Sequence, residues 1–455
     1  MDGIGFEMRK LLQARTYSGT ARAYLHSALF SCGPWIISII SIAVLNLMLR
    51  DEISQDDRTL FSSVVTHAYA IALLITGGSQ LILTRHSADL VFGESRAQLL
   101  PTCISAMTMV TLLSLIVGFV VFGLFCEGSI AFKLGGISLT VFVSLIFVGA
   151  NFLGTLQKYS GVVGGYALGY VVSCAAGWWA AVFLGIETAV LFFSLGHFVL
   201  LMTILYILTR ELGFTDSLSD WSFLRCFTKF PELAICGFFY NFGVWGDKIL
   251  FWWLAHDSQQ INGILRSAPN YDMAIYLSLL SIVPGFSVFF LALETRFSPN
   301  LKNFSEAITG GASLAVIDEC KAKIVAALQG GFNKLFAVQG FTTAMLLIMS
   351  EPIGRLLSIG ALQVGIFQVT LIGAFLLIVF LSMLTVLFYF DDRKGAMWSA
   401  IVFGLGNVLL SYYSLLESEA WYGLGFVVSA AAAVAISSFR LNKRVKNLEY
   451  NLFHS

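Results

Sequence analysis

The sequence predicts an all-α, polytopic membrane protein with twelve transmembrane helices in two pseudo-symmetric six-helix lobes around a central cavity. Of its 455 residues 57% are hydrophobic and only 12% charged, about half the charge fraction of a soluble domain. Apolar runs of about twenty residues, enough for a helix to cross roughly 30 Å of hydrocarbon, occur twelve times. Short motifs from the first half of the chain also return in the second half at a nearly constant offset.

In chain order, the leader at 1–20 is polar and charged, with Ile4, Met8, Leu11 and Leu12 on one helical face and Lys10 and Gln13 off it. That pattern predicts an amphipathic helix in the inner interface. The leader lacks the apolar stretch of a cleavable signal, so the first span is expected to act as the membrane address. Spans are expected at 22–49, 59–84, 99–125, 134–155, 161–185, 189–209, 232–255, 271–293, 331–350, 363–388, 395–416 and 420–439, with spans 5 and 6 split only by a turn at 185–188. The first lobe is then 21–209, followed by a cytoplasmic linker at 210–231, a second lobe at 232–439 with a cytoplasmic loop at 294–330, and a basic tail at 440–455. Inside that loop Ile317, Cys320, Ile324 and Leu328 recur at helical spacing among Asp318, Glu319, Lys321 and Lys323, which predicts a surface helix. Leader and loop are either ordered connectors or docking surfaces for cytosolic partners.

Lysine and arginine set the orientation. With the amino terminus inside, the cytoplasmic segments hold twenty of the 27 basic residues and the opposite side five, while Lys248 and Lys334 lie within or at the edge of spans. The positive-inside rule therefore places both termini in the cytoplasm, as an even span count requires.

The repeat supports two lobes. Thr84-Arg-His-Ser-Ala-Asp-Leu90 echoes Thr295-Arg-Phe-Ser-Pro-Asn-Leu301 at an offset of 211, and Gly33-Pro-Trp35 echoes Gly243-Val-Trp245 at 210. Two successive helices matched this way imply lobes of one topology, related by an axis along the membrane normal. Gly33 and Pro34 in span 1, Gly77 and Gly78 in span 2, and Pro284 and Gly285 in span 8 are expected to bend their helices or to serve packing. Asp247 and Lys248 correspond to Ile37 and Ser38, so the charges belong to one lobe alone.

An ionisable group at membrane depth faces protein or water and marks a candidate site. Asp247 is a candidate cation or proton site or a carboxylate facing substrate, against the alternative of an interhelical ion pair. Lys248 lies about 100° from it on the wheel, so each is expected to have a partner elsewhere, with outward snorkelling the alternative for Lys248. Asp272, His67 and His197 are candidate polar groups of the path, or interfacial and hydrogen-bonded core residues. Asn46, Asn151 and Asn241 could bind sugar hydroxyls or join helices. Tyr240, Trp245 and Trp252 could offer faces to sugar rings or serve as packing and interfacial anchors.

No phosphate-binding G-x-x-x-x-G-K-[ST] loop exists, which excludes an ATP-driven pump acting alone. No H-E-x-x-H occurs, no soluble stretch could house a glycosyltransferase, and no metal or cofactor is expected. The seven cysteines form no C-x-x-C and read as core residues.

Met1-Asp-Gly-Ile-Gly-Phe-Glu-Met-Arg-Lys-Leu-Leu12 and Ser31-Cys-Gly-Pro-Trp35 resemble the amino-terminal signature of the PelG family of inner-membrane exopolysaccharide transporters. Length, span count and residues 239–253 fit it across essentially the whole chain. The resemblance implies the fold of the multidrug, oligosaccharidyl-lipid and polysaccharide exporter superfamily. It also implies non-enzymatic export of a partly deacetylated amino-sugar polymer for biofilm matrix across a Gram-negative inner membrane. The implied partners are a cytosolic glycosyltransferase and a membrane receptor for cyclic di-GMP, besides lipid and polymer; nucleic acid is not among them. A cationic polymer would suit Asp247, whereas Lys248 beside it opposes a simple acidic tunnel. The alternatives are a cation-coupled small-molecule antiporter, a lipid-linked oligosaccharide flippase, and a membrane scaffold that recruits a synthase.

Overall fold

Helices dominate the computed structural model, which describes residues 17–448 except 94, 157 and 214–216. Of the leader expected at 1–20, residues 1–16 lie outside the described residues and the rest opens the first helix; of the tail expected at 440–455, the last helix takes in residues up to Lys446 and those from 449 lie outside. The helices are α1 (Tyr17–Met48), α2 (Gln55–Phe92), α3 (Leu99–Gly118, extended by a π turn, Phe119–Leu124), α4 (Ile130–Thr155), α5 (Tyr159–Phe183), α6 (Ile186–Leu212) and α7 (Pro231–Leu254). They continue as α8 (Pro269–Leu280), α9 (Val283–Ala292), α10 (Ser298–Thr309), α11 (Leu314–Ile348), α12 (Ser350–Leu357), α13 (Ala361–Tyr389), α14 (Arg393–Glu417) and α15 (Leu424–Lys446).

Each of the twelve expected spans falls on a helix, with α8 and α9 sharing the eighth. Among the described residues nine helices are long and apolar enough to cross a membrane, and α11 with α12, bent by 60°, makes a tenth. The others are α1, whose described apolar part is Ile36–Met48, and α7, where Asn241, Asp247 and Lys248 dilute the hydropathy. The turn between α5 and α6 is tighter than expected: Gly185, at φ +91°, allows the helix to restart at Ile186.

The loop at 294–330 differs from its expectation. The apolar stripe Ile317, Ile324 and Leu328 is buried, as its spacing requires. It does not belong to a separate surface helix, because α11 runs without interruption from Leu314 through the ninth span.

Packing divides the chain into Pro34–Pro269 and a second unit of Met1–Gly33 with Asn270–Ser455. This partition differs from the sequence repeat, since α7 packs with the N-terminal helices and the first half of α1 with the C-terminal ones. In the first unit α7 crosses α2 where a Cβ on Gly237 would overlap the carbonyl oxygen of Gly77. A Cβ on Gly77 would in turn stand 2.9 Å from Asn241 Nδ2. α2 is helical throughout, so Gly77 and Gly78 form a close crossing rather than a helix break. In the second unit Ser27 Oγ donates to the Ser287 carbonyl at 2.6 Å, and Ser287 Oγ to that of Tyr24 at 3.1 Å, tying α1 to α9.

A two-stranded antiparallel hairpin, β1 (Gln259–Asn262) and β2 (Leu265–Ser267), joins α7 to α8 where the sequence predicts only a loop. It docks on the turn after α3. Asn262 accepts from the Glu127 N–H and donates to the Glu127 carbonyl, both at 2.8 Å, so one side-chain amide imitates a strand pairing. Gly263, at φ +54°, sits so close to Phe125 that any side chain there would collide with its carbonyl.

The cytoplasmic linker expected at 210–231 carries a short helix, Leu224–Lys229, and is anchored through Asp220. That carboxylate accepts from Thr102 Oγ1 (3.0 Å) and Ser222 Oγ (2.7 Å), and the Asp220 N–H donates to Ser105 (2.9 Å). Asp392 caps the start of α14 and receives Arg440 Nε at 2.9 Å and Arg444 Nη2 at 3.1 Å from α15. Burial alone would raise the Asp392 carboxyl, but hydrogen bonds and charge from Arg440 and Arg444 outweigh it and hold it below the usual carboxylate range.

Gly237→Ala is expected to destabilise the protein by about 1–3 kcal/mol through overpacking. Gly164→Ala, where an added Cβ meets nothing within 4 Å, is its neutral control, both read as thermal midpoints in detergent. Asp392→Ala should cost about 3 kcal/mol, because it strands two arginines at a buried carboxylate position. A carboxyl depressed in the folded state stabilises above its unfolded value of about 3.9 and loses that contribution as pH falls through the folded value. The acid limb of the stability curve should therefore flatten in Asp392→Asn.

Candidate functional site

α7 begins at Pro231, whose missing N–H costs nothing at a helix start, and ends where Ala255 turns extended before the hairpin. Its inner side buries Asn241, Asp247, Lys248 and Trp252, while Phe238 and Trp253 face outward. The two charges meet each other, although they diverge by about 100° on the wheel. Lys248 folds back along its own helix, so that Nζ donates to the Val244 carbonyl at 2.6 Å and lies 3.3 Å from Asp247 Oδ1. The same Oδ1 accepts the Lys248 backbone N–H at 2.8 Å. The wheel compares Cβ directions; a four-carbon stem reaches past the 100° between them. Lys248 does not snorkel outward, being only 7% exposed, and Asp247 is fully buried.

Around this pair the first unit assembles an aromatic cluster. His67 of α2 stacks on Trp252 of α7, with ring centroids 4.2 Å apart and planes 26° apart. Trp252 meets Trp245 at 6.3 Å, and Lys248 Nζ lies 5.9 Å from the centre of the Trp245 ring. His67 Nδ1 lies 2.8 Å from the Ser63 carbonyl, which can only accept, so that nitrogen carries the proton. Trp245 Nε1 is buried and has no hydrogen-bond partner among the described residues. Asn241, the residue after Tyr240, donates to the Gly237 carbonyl at 2.9 Å beside the glycine crossing.

Asp272 lies in the first turn of α8 and belongs to the second unit. α1 is helical through Gly33 and Pro34, and the boundary between the units falls between them. The eighth span is interrupted at 281–282, and the helix restarts at Val283 with Pro284 and Gly285 in its first turn. His197 lies in a separate polar core: Nε2 meets the Tyr69 hydroxyl at 2.9 Å, Nδ1 meets Ser173 Oγ at 3.2 Å, and the Tyr69 hydroxyl meets that of Tyr170. The sequence reading missed Tyr69, Tyr170 and Ser173; the i, i+4 pair Tyr166 and Tyr170 inside a span was the available signal. Asn151 joins helices, donating to the Gln80 carbonyl and accepting from Thr84, each at 2.8 Å. Asn46 accepts from Ser62 at 3.2 Å.

The cluster offers ring faces and hydrogen-bond donors around a carboxylate already occupied by its neighbour. It contains no activated nucleophile, and no group of three or more metal-ligating side chains occurs among the described residues. Asp247→Ala should cost about 3–5 kcal/mol by stranding a buried ammonium. Asp247→Ala/Lys248→Met should recover a large part of that loss, measured as thermal midpoints of the two purified variants.

The fold matches solved membrane transporters along nearly its whole length. A multidrug-resistance MATE transporter of the MOP superfamily in an outward-facing conformation superposes with a TM-score of 0.64 at 12% identity, covering 93% of this chain and 96% of that one. A MOP-superfamily transporter from Pyrococcus furiosus Vc1 gives 0.66 at 11% identity, covering 94% and 96%. The MATE transporter ClbM in complex with Rb+ gives 0.61 at 13%, covering 95% and 97%. No curated protein matches the sequence. The PelG family model, described as an exopolysaccharide exporter (EPS-E), matches residues 1–453. A polytopic helical chain of MOP-type fold, matched over that extent, belongs to the PelG family of exopolysaccharide exporters.

Proposed function

We propose that the protein is a non-enzymatic transporter of the bacterial inner membrane, with both termini cytoplasmic, that exports a Pel-type amino-sugar polysaccharide to the periplasm for the biofilm matrix. The family match over residues 1–453 carries this reading. It receives the growing chain from a cytosolic glycosyltransferase and works beside a membrane receptor for cyclic di-GMP. His67, Trp245 and Trp252 supply aromatic faces for sugar rings, and Tyr240, Asn241 and Lys248 supply polar contacts. Because Lys248 already occupies Asp247 Oδ1, ring stacking rather than an open acidic surface contacts the polymer.

The fold shared with MATE transporters favours a second reading, a cation-coupled antiporter of small molecules. A deletion strain separates the two. Loss of matrix polymer with unchanged drug susceptibility is expected; new drug sensitivity with an intact matrix would replace the export reading. Polymer export restored by a variant with neutral residues at 247 and 248, but lost on removal of a cytoplasmic segment, would instead identify a scaffold. Trp252→Ala, present in the membrane at normal levels, should lower polymer flux about tenfold, the equivalent of one aromatic contact of about 1.4 kcal/mol. In liposomes, Asp247→Asn should abolish proton movement if an ion gradient drives export, and should leave export intact if polymerisation pushes the chain.

A further inference from the structure

The interruption of the eighth span is bridged by a side chain 54 residues further along the chain. In an unbroken helix the Gly285 N–H would donate to the Ser281 carbonyl. Instead it donates to Gln339 Oε1 at 3.2 Å, while Gln339 Nε2 donates to the Ser281 carbonyl at 3.0 Å. One primary amide is thus inserted into one main-chain hydrogen bond. Pro284, the next residue towards the amino terminus, removes the donor that would have served the Leu280 carbonyl. Regular bonding resumes at once, with the Phe286 N–H on the Ile282 carbonyl at 3.0 Å, so the disruption is confined to a single turn.

The surroundings fit this insertion. Gln339 is fully buried, nine residues before the end of α11. Gly285 has no side chain because a Cβ there would overlap Gln339 Oε1 and approach its Cβ to 2.9 Å. An apolar residue at 339 would leave two buried main-chain groups unpaired in hydrocarbon, at several kcal/mol each. Side-chain insertion into the helical ladder is a recognised cause of kinks. A regular helix would have satisfied the same two groups without Gln339. The break also has a particular place in the chain: the division between the units falls between Pro269 and Asn270, at the start of α8, and 281–282 is the first non-helical point after it.

We propose that residues 281–285 form a hinge of the transport cycle and that Gln339 is its positioning residue, its rotatable amide standing in for the missing main-chain bond. The half-helix α8 then pivots against α9 while both backbone groups keep a partner, which a direct N–H to carbonyl bond cannot do. The hinge rests on the transporter reading, but its first test uses no substrate.

Amide hydrogen exchange of the full chain in nanodiscs, corrected for intrinsic rates, measures protection at Gly285. Gln339→Met should exchange there at least tenfold faster than wild type; unchanged protection would overturn the proposal. Gln339→Glu keeps the test decisive if the methionine variant fails to fold. Its protonated carboxyl can accept from Gly285 and donate to Ser281, whereas the ionised form can only accept and leaves the Ser281 carbonyl unpaired, so the thermal midpoint of this variant should fall with rising pH relative to wild type. A pH-independent Gln339→Glu would count against the proposal. The mended helix Pro284→Ala/Gln339→Leu separates hinge from static splint. It should be at least as stable as wild type yet export polymer at least tenfold more slowly, and wild-type export by it would eliminate the hinge. If polymer is not the cargo, the exchange results stand and only the export readout fails.

Discussion

Hydrocarbon supplies no hydrogen bonds, so the backbone groups and charges that this chain carries into its helical interior must find their partners within the chain. That constraint accounts for the places where the structure departs from plain helix packing. The Lys248 ammonium turns back to a carbonyl and a carboxylate of its own helix. The interrupted eighth span takes its missing bond from Gln339. At the helix ends the same economy holds: Asn262 pairs with Glu127 as a strand would, and Asp392 gathers two arginines from the last helix.

The repeat in the sequence and the units in the structure describe different things. By sequence, α1 and α7 each open a six-helix half; by packing, α7 lies on α2 through the Gly77–Gly237 crossing, and the start of α1 lies on α9 through Ser27 and Ser287. Each half therefore lends the beginning of its first helix, or all of it, to the other packing unit. The asymmetry is chemical: the buried Asp247 and Lys248 have no counterparts at Ile37 and Ser38.

Much of the fold was legible in the sequence because membrane spans write themselves at a length scale that composition reveals. The stripe of Ile317, Ile324 and Leu328 was likewise readable as one buried helical face, although not as the start of the ninth span. The hairpin was not readable: its strands of four and three residues are short and polar, and what holds them is a contact with Glu127, 135 residues away. The candidate site was legible in part. His67, Trp245, Asp247 and Lys248 were marked by polarity or size at membrane depth, but their mutual geometry depends on rotamers and on a helix crossing that no single-helix projection contains. Gln339 carried no such mark, since its meaning comes from Pro284 and Gly285 on another helix.

The exchange of first helices has a consequence for biogenesis. The amino-terminal half of α1 is made before the other described helices, yet a partner of Ser27 is Ser287, more than half the chain later. The unit built on α2 to α6 is equally incomplete until α7 and its hairpin have been made. Packing within each unit thus draws on residues from both ends of the sequence, and the contact of Ser27 with Ser287 cannot form until α9 has been made.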